Sequence, residues 1–416
     1  MANNNCKFYK VVRQVSYDSG VTWVNIGETQ KGDLYEYDSA ECGAVTQYRW
    51  VDVTGAYTCE GTTKYQKTKR QVSTDGGQTW SDVSPAEYGK GDVIEYMSED
   101  CGYDPTYANE YLTFIPRTAG NFKFISWQRG GAEIINRVYY TLDGGNNWTL
   151  LPNNENTPTV QAGQKIMWKG NFTPNFGTYN NSLNSFRSNC DFDVEGNVMS
   201  LVYSDSFQGK TSLAGTSRIL NHLFHGAHNL KSAENMILPA TTLGEYCYDG
   251  MFVFCTGLTT PPQLPAMVLE RGCYVDMFGV CTSLTTAPEL PATTLAVYCY
   301  GYMFSGCKSL TTAPVLSNTT LAKECYRDMF QDCIALTAAP DLPATTLPEL
   351  CYSYMFENCS SLNYVKCLAT SISANNCTAG WMNGVSSSGT FVKNSSMSSW
   401  STGVNGIPTN WTVQNA

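Results

Sequence analysis

The stretch CYVDMFGVCTSLTTAPELPATTLAVY, residues 273–298, decides the architecture of the second half of this chain because it recurs every 26 residues with few changes. The first cysteine recurs as Cys247, Cys273, Cys299, Cys325 and Cys351, and the second as Cys255, Cys281, Cys307, Cys333 and Cys359. Self-similarity at a fixed period of about 20 to 50 residues is typical of a solenoid, in which each coil buries its apolar face against its neighbours.

Within one coil the repeated residues predict a short helix. They are Cys325, Tyr326, Met329, Phe330 and Cys333. At about 100° per residue these positions form one stripe, the expected buried face of the helix, and the variable positions fall on the solvent side. The following segment LTTAP, residues 284–288, predicts a short strand that pairs in parallel with its counterparts and ends near Pro288, since proline cannot donate to a ladder.

The two cysteines of each coil are expected to point inward and to stack into ladders. Three interpretations of these ladders are open: buried inert thiols, disulfides between coils, and zinc ligands. The thiol interpretation is favoured, because C-x7-C without a C-x2-C pair or partner histidines is poor spacing for zinc.

The three histidines of the chain, His222, His225 and His228, lie in a degenerate first coil. Histidines three apart suit a metal ion, but His222 and His225 correspond to Gly250 and Val253, which are outward positions. A solvated face at the end of the solenoid is therefore favoured over a metal site.

Composition excludes several classes of protein. The chain has 416 residues, 15% of them charged, and a formal net charge of −10. It has no run of about 20 apolar residues for a membrane span and no basic cluster to neutralise a nucleic-acid backbone. The abundance of Gly and Tyr, without Ala/Glu/Lys/Leu heptads, favours strands and turns over helix bundles. No motif indicates a cofactor.

The first half contains an internal duplication. RQVSYDSGVTW at residues 13–23 returns as RQVSTDGGQTW at 70–80, and KGDLYEYDSAECG returns as KGDVIEYMSEDCG. We predict two small β-modules, at residues 1–48 and 49–108. A third related segment, YTLDGGNNW at 140–148, belongs to the next domain.

The predicted fold class is mainly β with short helices. After the two modules, strand-like segments separated by Gly/Asn/Pro turns predict an antiparallel β-sandwich over residues 109–200. An α/β solenoid of 26-residue coils is expected over 201–370. The segments GTFVK and WTVQ predict edge strands of a C-terminal β cap over 371–416, which a solenoid needs for solubility.

The S-x-D-x-G-x-T-W pattern resembles the Asp-box of sialidases and other β-propellers, a structural hairpin in which Trp packs beneath the turn. Asp18, Asp75 and Asp143 are expected to cap backbone N–H groups there, with glycines supplying φ > 0. A sialidase also needs a propeller-sized catalytic domain, and no uninterrupted β-region here is long enough. We therefore predict that the protein is not an enzyme.

The coils resemble the leucine-rich repeats of the BspA-like class, found in surface proteins of gut Bacteroidetes and in proteins of their phages and prophages. LTTAPELPATTL at residues 284–295, CYGYMFSGC at 299–307, FDVEGNVMSLVYSDSF at 192–207 and the C-terminal SGTFVKNSSMSSWSTGVNGIPTNWTV carry the resemblance. The coils depart from the usual BspA-like coil in length and in having a Met-Phe pair instead of Ala-Phe. The resemblance implies adhesion or display and contributes no catalytic residue.

The N-terminal residues lack the features of a secretory signal. We therefore expect synthesis in the host cytoplasm and a place on a phage virion surface, as a head or tail fibre, spike or decoration protein. The N-terminal modules would hold other capsid or tail proteins and the solenoid would attach to host glycan or protein, with a homotrimer by analogy with other fibres. The alternative is a bacterial cell-surface adhesin, and a carbohydrate-active enzyme is third.

Binding specificity is expected from outward residues that differ between coils, because an apolar ring beside hydrogen-bonding groups suits a glycan. The alternative is a merely solvated face. The candidate ligand-binding residues are Tyr246, Arg271, Tyr298, Tyr302, Lys323, Arg327 and Tyr354.

Overall fold

The computed structural model describes residues 8–11, 14–15, 24–25, 30–34, 47–60, 63–73, 79–95, 105–128, 136–173, 182–397 and 400–416. The chain divides into two compact units, Met1–Tyr103 and Asp104–Ala416. Its described part is mainly β, with several sheets, none of them closed, and very few helical residues. The predicted hairpins at Asp18 and Asp75 lie outside the described residues.

The first unit consists of antiparallel strands. Two short pairs are formed by β1 (Phe8–Val11) with β4 (Gln30–Leu34) and by β2 (Gln14–Val15) with β3 (Val24–Asn25). A four-stranded sheet is formed by β5 (Gln47–Glu60), β6 (Thr63–Ser73), β7 (Ser81–Asp82) and β8 (Tyr88–Glu95). In this sheet β6 pairs with each of the other three strands.

The second unit opens with a 3₁₀ turn at Pro105–Asn109, followed by two sheets. Their strands are β9 (Leu112–Pro116), β10 (Phe122–Gln128), β11 (Val138–Thr141), β12 (Thr149–Leu151), β13 (Ile166–Gly170), β14 (Ser182–Ser188), β15 (Phe192–Asn197) and β16 (Leu230–Ile237). The order of the six-stranded sheet is β12-β11-β13-β9-β15-β16, and β10 pairs with β14. Only the β15–β16 pair of these two sheets is parallel. A single-turn helix, Ser200–Tyr203, and a 3₁₀ turn, Ser204–Ser206, lie between β15 and β16.

Aromatic side chains join these sheets to the repeats in one core. The ring centroid of Phe114 on β9 lies 4.9 Å from that of Phe186 on β14 and 5.7 Å from that of Phe224. Phe224 in turn stacks on Phe252 at 5.4 Å. From there one phenylalanine per coil continues the stack, namely Phe278, Phe304, Phe330 and Phe356. The hydrophobic core therefore runs without a break from the sheets through the repeats.

The prediction of a short helix in each coil is wrong. Residues 247–255 and their counterparts form consecutive turns, in which the N–H of Met251 donates to the carbonyl of Tyr248 at 3.2 Å. Every fourth residue is in the left-handed region, with φ of 53° at Tyr246, 57° at Gly250 and 61° at Phe254. The repeated Cys, Tyr, Met, Phe and Cys positions, which predicted one face of a helix, fit a period of four residues equally well. In that period two inward residues are followed by two outward ones.

Hydrogen bonds between coils hold the turns in register. The N–H of Tyr248 donates to the carbonyl of Cys273 at 3.0 Å, and that of Phe252 donates to the carbonyl of Met277 at 2.9 Å. Alternate N–H groups thus point to the next coil while those between them close local turns. The segment predicted as a strand forms single parallel bridges, such as Thr286 with Thr312, instead of longer strands. We call residues 218–385 the repeat stack.

A three-stranded parallel sheet follows the last coils. It consists of β17 (Tyr364–Cys367), β18 (Thr390–Lys393) and β19 (Thr412–Asn415), in that order. The two strands predicted in GTFVK and WTVQ are therefore confirmed as strands. One tyrosine per coil also forms a stacked column, namely Tyr248, Tyr274, Tyr300, Tyr326 and Tyr352. Trp381 stacks on Tyr352 at 6.2 Å and on Trp400 at 5.6 Å, so indole rings continue this column.

Candidate functional site

The outward residues of the turns line one side of the repeat stack, which we call the turn face. Because the inward positions hold nearly the same Cys, Tyr, Met and Phe in each full coil, the differences between coils are concentrated on this face. Large side chains there lie over glycines. A Cβ atom on Gly301 would lie 2.5 Å from the ring of Tyr298, and one on Gly380 would lie 2.5 Å from that of Tyr354.

Three of the predicted site residues come together at the centre of the turn face. The rings of Tyr298 and Tyr302 are half-buried and meet edge to face, with centroids 6.2 Å apart. Arg327 of the next coil bonds to the carboxylate of Asp328 at 3.1 Å and to that of Glu324 at 3.3 Å. Asp328 also accepts a hydrogen bond from the hydroxyl of Tyr302. We call Tyr298, Tyr302, Arg327 and Asp328 the Tyr298 cluster.

Burial controls protonation in this cluster. Desolvation, followed by the negative charge of Asp328, raises the pKa of Tyr302 to about 12. Desolvation also raises the pKa of Tyr298. Both hydroxyls are therefore neutral at physiological pH. The hydroxyl of Tyr302 donates to Asp328, so the hydroxyl of Tyr298 is the donor available to a ligand, and the outer ring surfaces remain partly exposed.

Lys323 borders the Tyr298 cluster. Its ammonium group lies 2.8 Å from a carboxylate oxygen of Glu349 and 3.8 Å from one of Glu324. The side chain is exposed, so this pair contributes little to stability.

Tyr246 lies in a separate cluster two coils away from Tyr298. The guanidinium of Arg218 lies 4.1 Å above its ring centroid and forms an ion pair with Asp249 at 3.0 Å. Burial nevertheless raises the pKa of Asp249 to about 6, since desolvation outweighs the arginine. One ring face of Tyr246 is thus covered by Arg218, which makes it a weaker ligand platform than Tyr298.

The remaining two predicted residues are Arg271 and Tyr354. Arg271 is exposed and lies one residue before Gly272. Tyr354 is 37% exposed and its ring lies over Gly380, so one ring face is open to solvent.

Asp276 is a residue that the sequence reasoning did not single out. It is half-buried on the turn face, and no cation pairs with it in the described part of the chain. Desolvation and the charge of Asp249 raise its pKa to about 7. The sequence shows that position 276 faces outward and that the neighbouring coils have Gly250 and Tyr302 there. The burial of Asp276 follows only from the turns that surround it.

The cysteines of the repeat stack point inward as predicted. Thirteen cysteines among the described residues are free thiols and buried. The Sγ of Cys281 donates to the carbonyl of Phe252 at 3.2 Å, and the same bond recurs between later coils. Burial raises the pKa of thiols such as Cys247 to about 12, so these groups are poor nucleophiles and poor metal ligands.

The histidines lie close together without forming a metal site in the described residues. The ring centroids of His222 and His225 are 5.5 Å apart. Burial, and to a smaller extent the charges of His225 and Arg218, lowers the pKa of His222 to about 4. His222 is half-buried and neutral at physiological pH, and His225 is half-buried too, which corrects the expectation of a solvated histidine face.

The hairpin at Asp143 has the predicted geometry. Its carboxylate accepts from the hydroxyl of Thr141 at 2.6 Å and from the backbone N–H of Asn147 at 3.0 Å. Gly144 and Gly145 have φ of 72° and 95°. Trp148 packs beside Tyr111, with ring centroids 4.9 Å apart. These contacts confirm the turn-capping role of Asp143.

None of the helices in the part of the chain that the structure describes has the length and apolar character of a membrane-spanning helix. Comparison of the chain with protein families, curated proteins and solved structures found no match.

Proposed function

We propose that this protein is a non-enzymatic surface protein of a phage virion, a fibre, spike or decoration protein, whose repeat stack binds a glycan or protein on the host surface. The observation that carries the proposal is the Tyr298 cluster. Its two tyrosines offer apolar ring surfaces and neutral hydroxyls beside Arg327 and Asp328. That combination suits a glycan, whose rings have apolar faces and whose hydroxyls both donate and accept hydrogen bonds.

The repeat stack is, in this proposal, a leucine-rich-repeat solenoid. Hydrogen bonds link each coil to the next, and aromatic ladders run along its interior. The strand β14 contacts the first coil, where the N–H of Phe186 donates to the carbonyl of Leu223 at 2.9 Å, and the sheet of β17, β18 and β19 acts as the C-terminal cap. Such a rod presents a long rigid surface on which the turn face is displayed.

The virion location rests on the resemblance of the coils to BspA-like repeats in phage proteins. The two N-terminal modules would then hold capsid or tail proteins, with three copies forming a fibre. Proteomics and electron microscopy of purified particles test this part. Absence from particles, with the protein instead found on intact bacteria by protease shaving, would favour the adhesin.

Binding by the Tyr298 cluster is tested with the variants Tyr298→Ala and Tyr302→Ala on the full chain. We expect each to weaken binding to host cells or to their purified surface polysaccharide at least about 10-fold, as loss of a central aromatic contact does in other interfaces. Tyr364→Ala is the matched control, since Tyr364 is 36% exposed but lies on β17, outside the turn face.

Two outcomes would contradict the binding role. Unchanged binding by both tyrosine variants would remove the Tyr298 cluster as the contact surface. Release of reducing sugar from the polysaccharide by the unmodified protein would instead indicate a carbohydrate-active enzyme.

A further inference from the structure

A second polar cluster lies at the first coil, where β14 meets the turns. Nη1 of Arg187 donates to the hydroxyl of Ser185 and, at 3.1 Å, to the carbonyl of Phe186. Nη2 lies 3.4 Å from Nδ1 of His225. The side chain of Arg187 is half-buried, and no carboxylate among the described residues forms an ion pair with it. This is notable in a chain whose formal net charge is −10.

The atoms that bear protons converge on the space beside Gly226. The ideal Cβ position on this glycine, which has φ of 67°, lies 3.4 Å from Nη2 of Arg187 and 3.9 Å from Nε2 of His228. Nδ1 of His228 lies 3.2 Å from the hydroxyl of Thr256. When that hydroxyl donates to Nδ1, Nε2 carries the proton and donates toward the same space as the arginine. Two nitrogen donors facing one opening suit an anionic oxygen.

An exposed aromatic ring borders this opening. Phe254 is 43% exposed, and its ring meets that of His225 edge to face at 5.5 Å. Its φ is 61°, a conformation that costs a bulky residue about 1–2 kcal/mol. The equivalent turn position has a positive φ in the other coils too, so this conformation belongs to the turn itself; the residues there are Gly226, Val280, Gly306, Asp332 and Asn358. An exposed phenylalanine therefore lies beside a guanidinium that has no carboxylate partner in the described residues.

We propose that Arg187 and His228 bind the carboxylate of an acidic sugar, with His225 positioning the guanidinium of Arg187, and that Phe254 packs against the pyranose ring. A guanidinium matches a carboxylate in geometry, and the flat ring of Phe254 offers the apolar surface that a sugar ring contacts. The sugar part rests on the proposed glycan-binding function, whereas the anion part depends only on the contacts at the first coil.

Proton NMR of the full chain tests the site, because His222, His225 and His228 are the three histidines of the sequence. The probes are sodium glucuronate, glucose and sodium sulfate at constant ionic strength. We expect glucuronate to shift the ring signals of His225 and His228 in a saturable way, glucose to leave them unchanged, and sulfate to shift them with weaker affinity.

Variants separate the anion contact from the sugar contact. Arg187→Gln should weaken glucuronate binding at least about 10-fold, the loss expected for a charge-assisted hydrogen bond. Phe254→Gly should weaken glucuronate but leave sulfate binding unchanged, and it relieves the backbone strain at that position. Arg117→Gln is the matched control, since Arg117 pairs with Asp193 on the same unit. His228→Gln, at an exposed position, replaces Arg187→Gln if the latter fails to fold.

The absence of saturable histidine shifts with either anion would overturn the site. Glucuronate and sulfate binding with equal affinity, both unaffected by Phe254→Gly, would mean an adventitious ion only and would overturn the sugar assignment. The variant Tyr302→Ala separates the two sites. If it loses host-surface binding but still binds glucuronate, the two sites act separately. Failure of Tyr302→Ala to alter host binding would leave this site standing while removing the Tyr298 cluster.

Discussion

A Cβ atom on Gly272 would lie 2.2 Å from Cε1 of Tyr246, so the tyrosine ring of one coil occupies the space that the glycine of the next coil leaves open. Gly272 also has φ of 60°. Gly272→Ala should therefore lower the free energy of unfolding by about 2–4 kcal/mol, from backbone strain and displacement of the ring together. Urea denaturation measures the change.

Gly209→Ala is the matched control for this prediction. Gly209 has φ of 70°, but nothing lies within 4 Å of an added Cβ, so only the strain remains. Adding Tyr246→Ala to Gly272→Ala should remove the steric part. Equal destabilisation by Gly209→Ala and Gly272→Ala would show that the contact with Tyr246 does not matter.

Asp276→Asn should stabilise the protein at neutral pH and have little effect near pH 4. Burial and the charge of Asp249 raise the pKa of Asp276 to about 7 in the folded protein, from the ordinary value of 3.8 that it has in the unfolded chain. Between these values the folded state keeps a proton that the unfolded state loses, so the stability contributed by this group falls as pH rises from about 4 to about 7. The gain on substitution should reach the order of 3 kcal/mol above pH 7.

Chemical denaturation of both proteins at several pH values between about 4 and 8 checks this dependence. Asp341→Asn is the control, since Asp341 is exposed and pairs with Lys366 at 2.6 Å. A gain from Asp276→Asn that is the same at every pH would contradict the titration of Asp276.

The inward thiols should resist alkylation until the protein unfolds. Cys247 and Cys255 are fully buried and their pKa values are raised to about 12, so the thiolate fraction at pH 8 is on the order of one in ten thousand. Iodoacetamide labelling with mass spectrometry at each cysteine, in native buffer and in urea, measures the protection. Rapid native labelling, or disulfide-linked peptides between coils, would rule out the inert thiol ladder.

Asp143→Ala should lower the melting temperature at neutral pH and have a smaller effect in acid. Hydrogen bonds from Thr141 and Asn147 lower the pKa of Asp143 to about 2. The stability contributed by this carboxylate is therefore present above about pH 4, its unfolded value, and is lost as pH falls through about 2. Calorimetry of both proteins across that range checks the prediction.

Asp341→Ala, at an exposed surface ion pair, is the control and should leave the melting temperature nearly unchanged. A difference between Asp143→Ala and the unmodified protein that persists undiminished at pH 2 would show that the carboxylate charge plays no part in the turn.

Some local features followed from the sequence because they depend on neighbouring residues alone. The turn at Asp143 needs only the spacing of Asp and Gly, and it has the predicted hydrogen bonds. The repeat of Cys and Phe likewise required that the same positions of each coil face inward, since a unit this small buries apolar side chains only against its copies.

The secondary structure of the coil did not follow, because periods of 3.6 and four residues place the same five positions of each coil on one side. Residues with positive φ, such as Tyr246 and Phe254, end each turn before it can continue as a helix, and backbone hydrogen bonds to the next coil stabilise this conformation. The sites also depend on tertiary structure. Arg187 reaches His225 from 38 residues away, and Asp276 is desolvated by packing, so neither the unpaired guanidinium nor the raised pKa is encoded in a local motif.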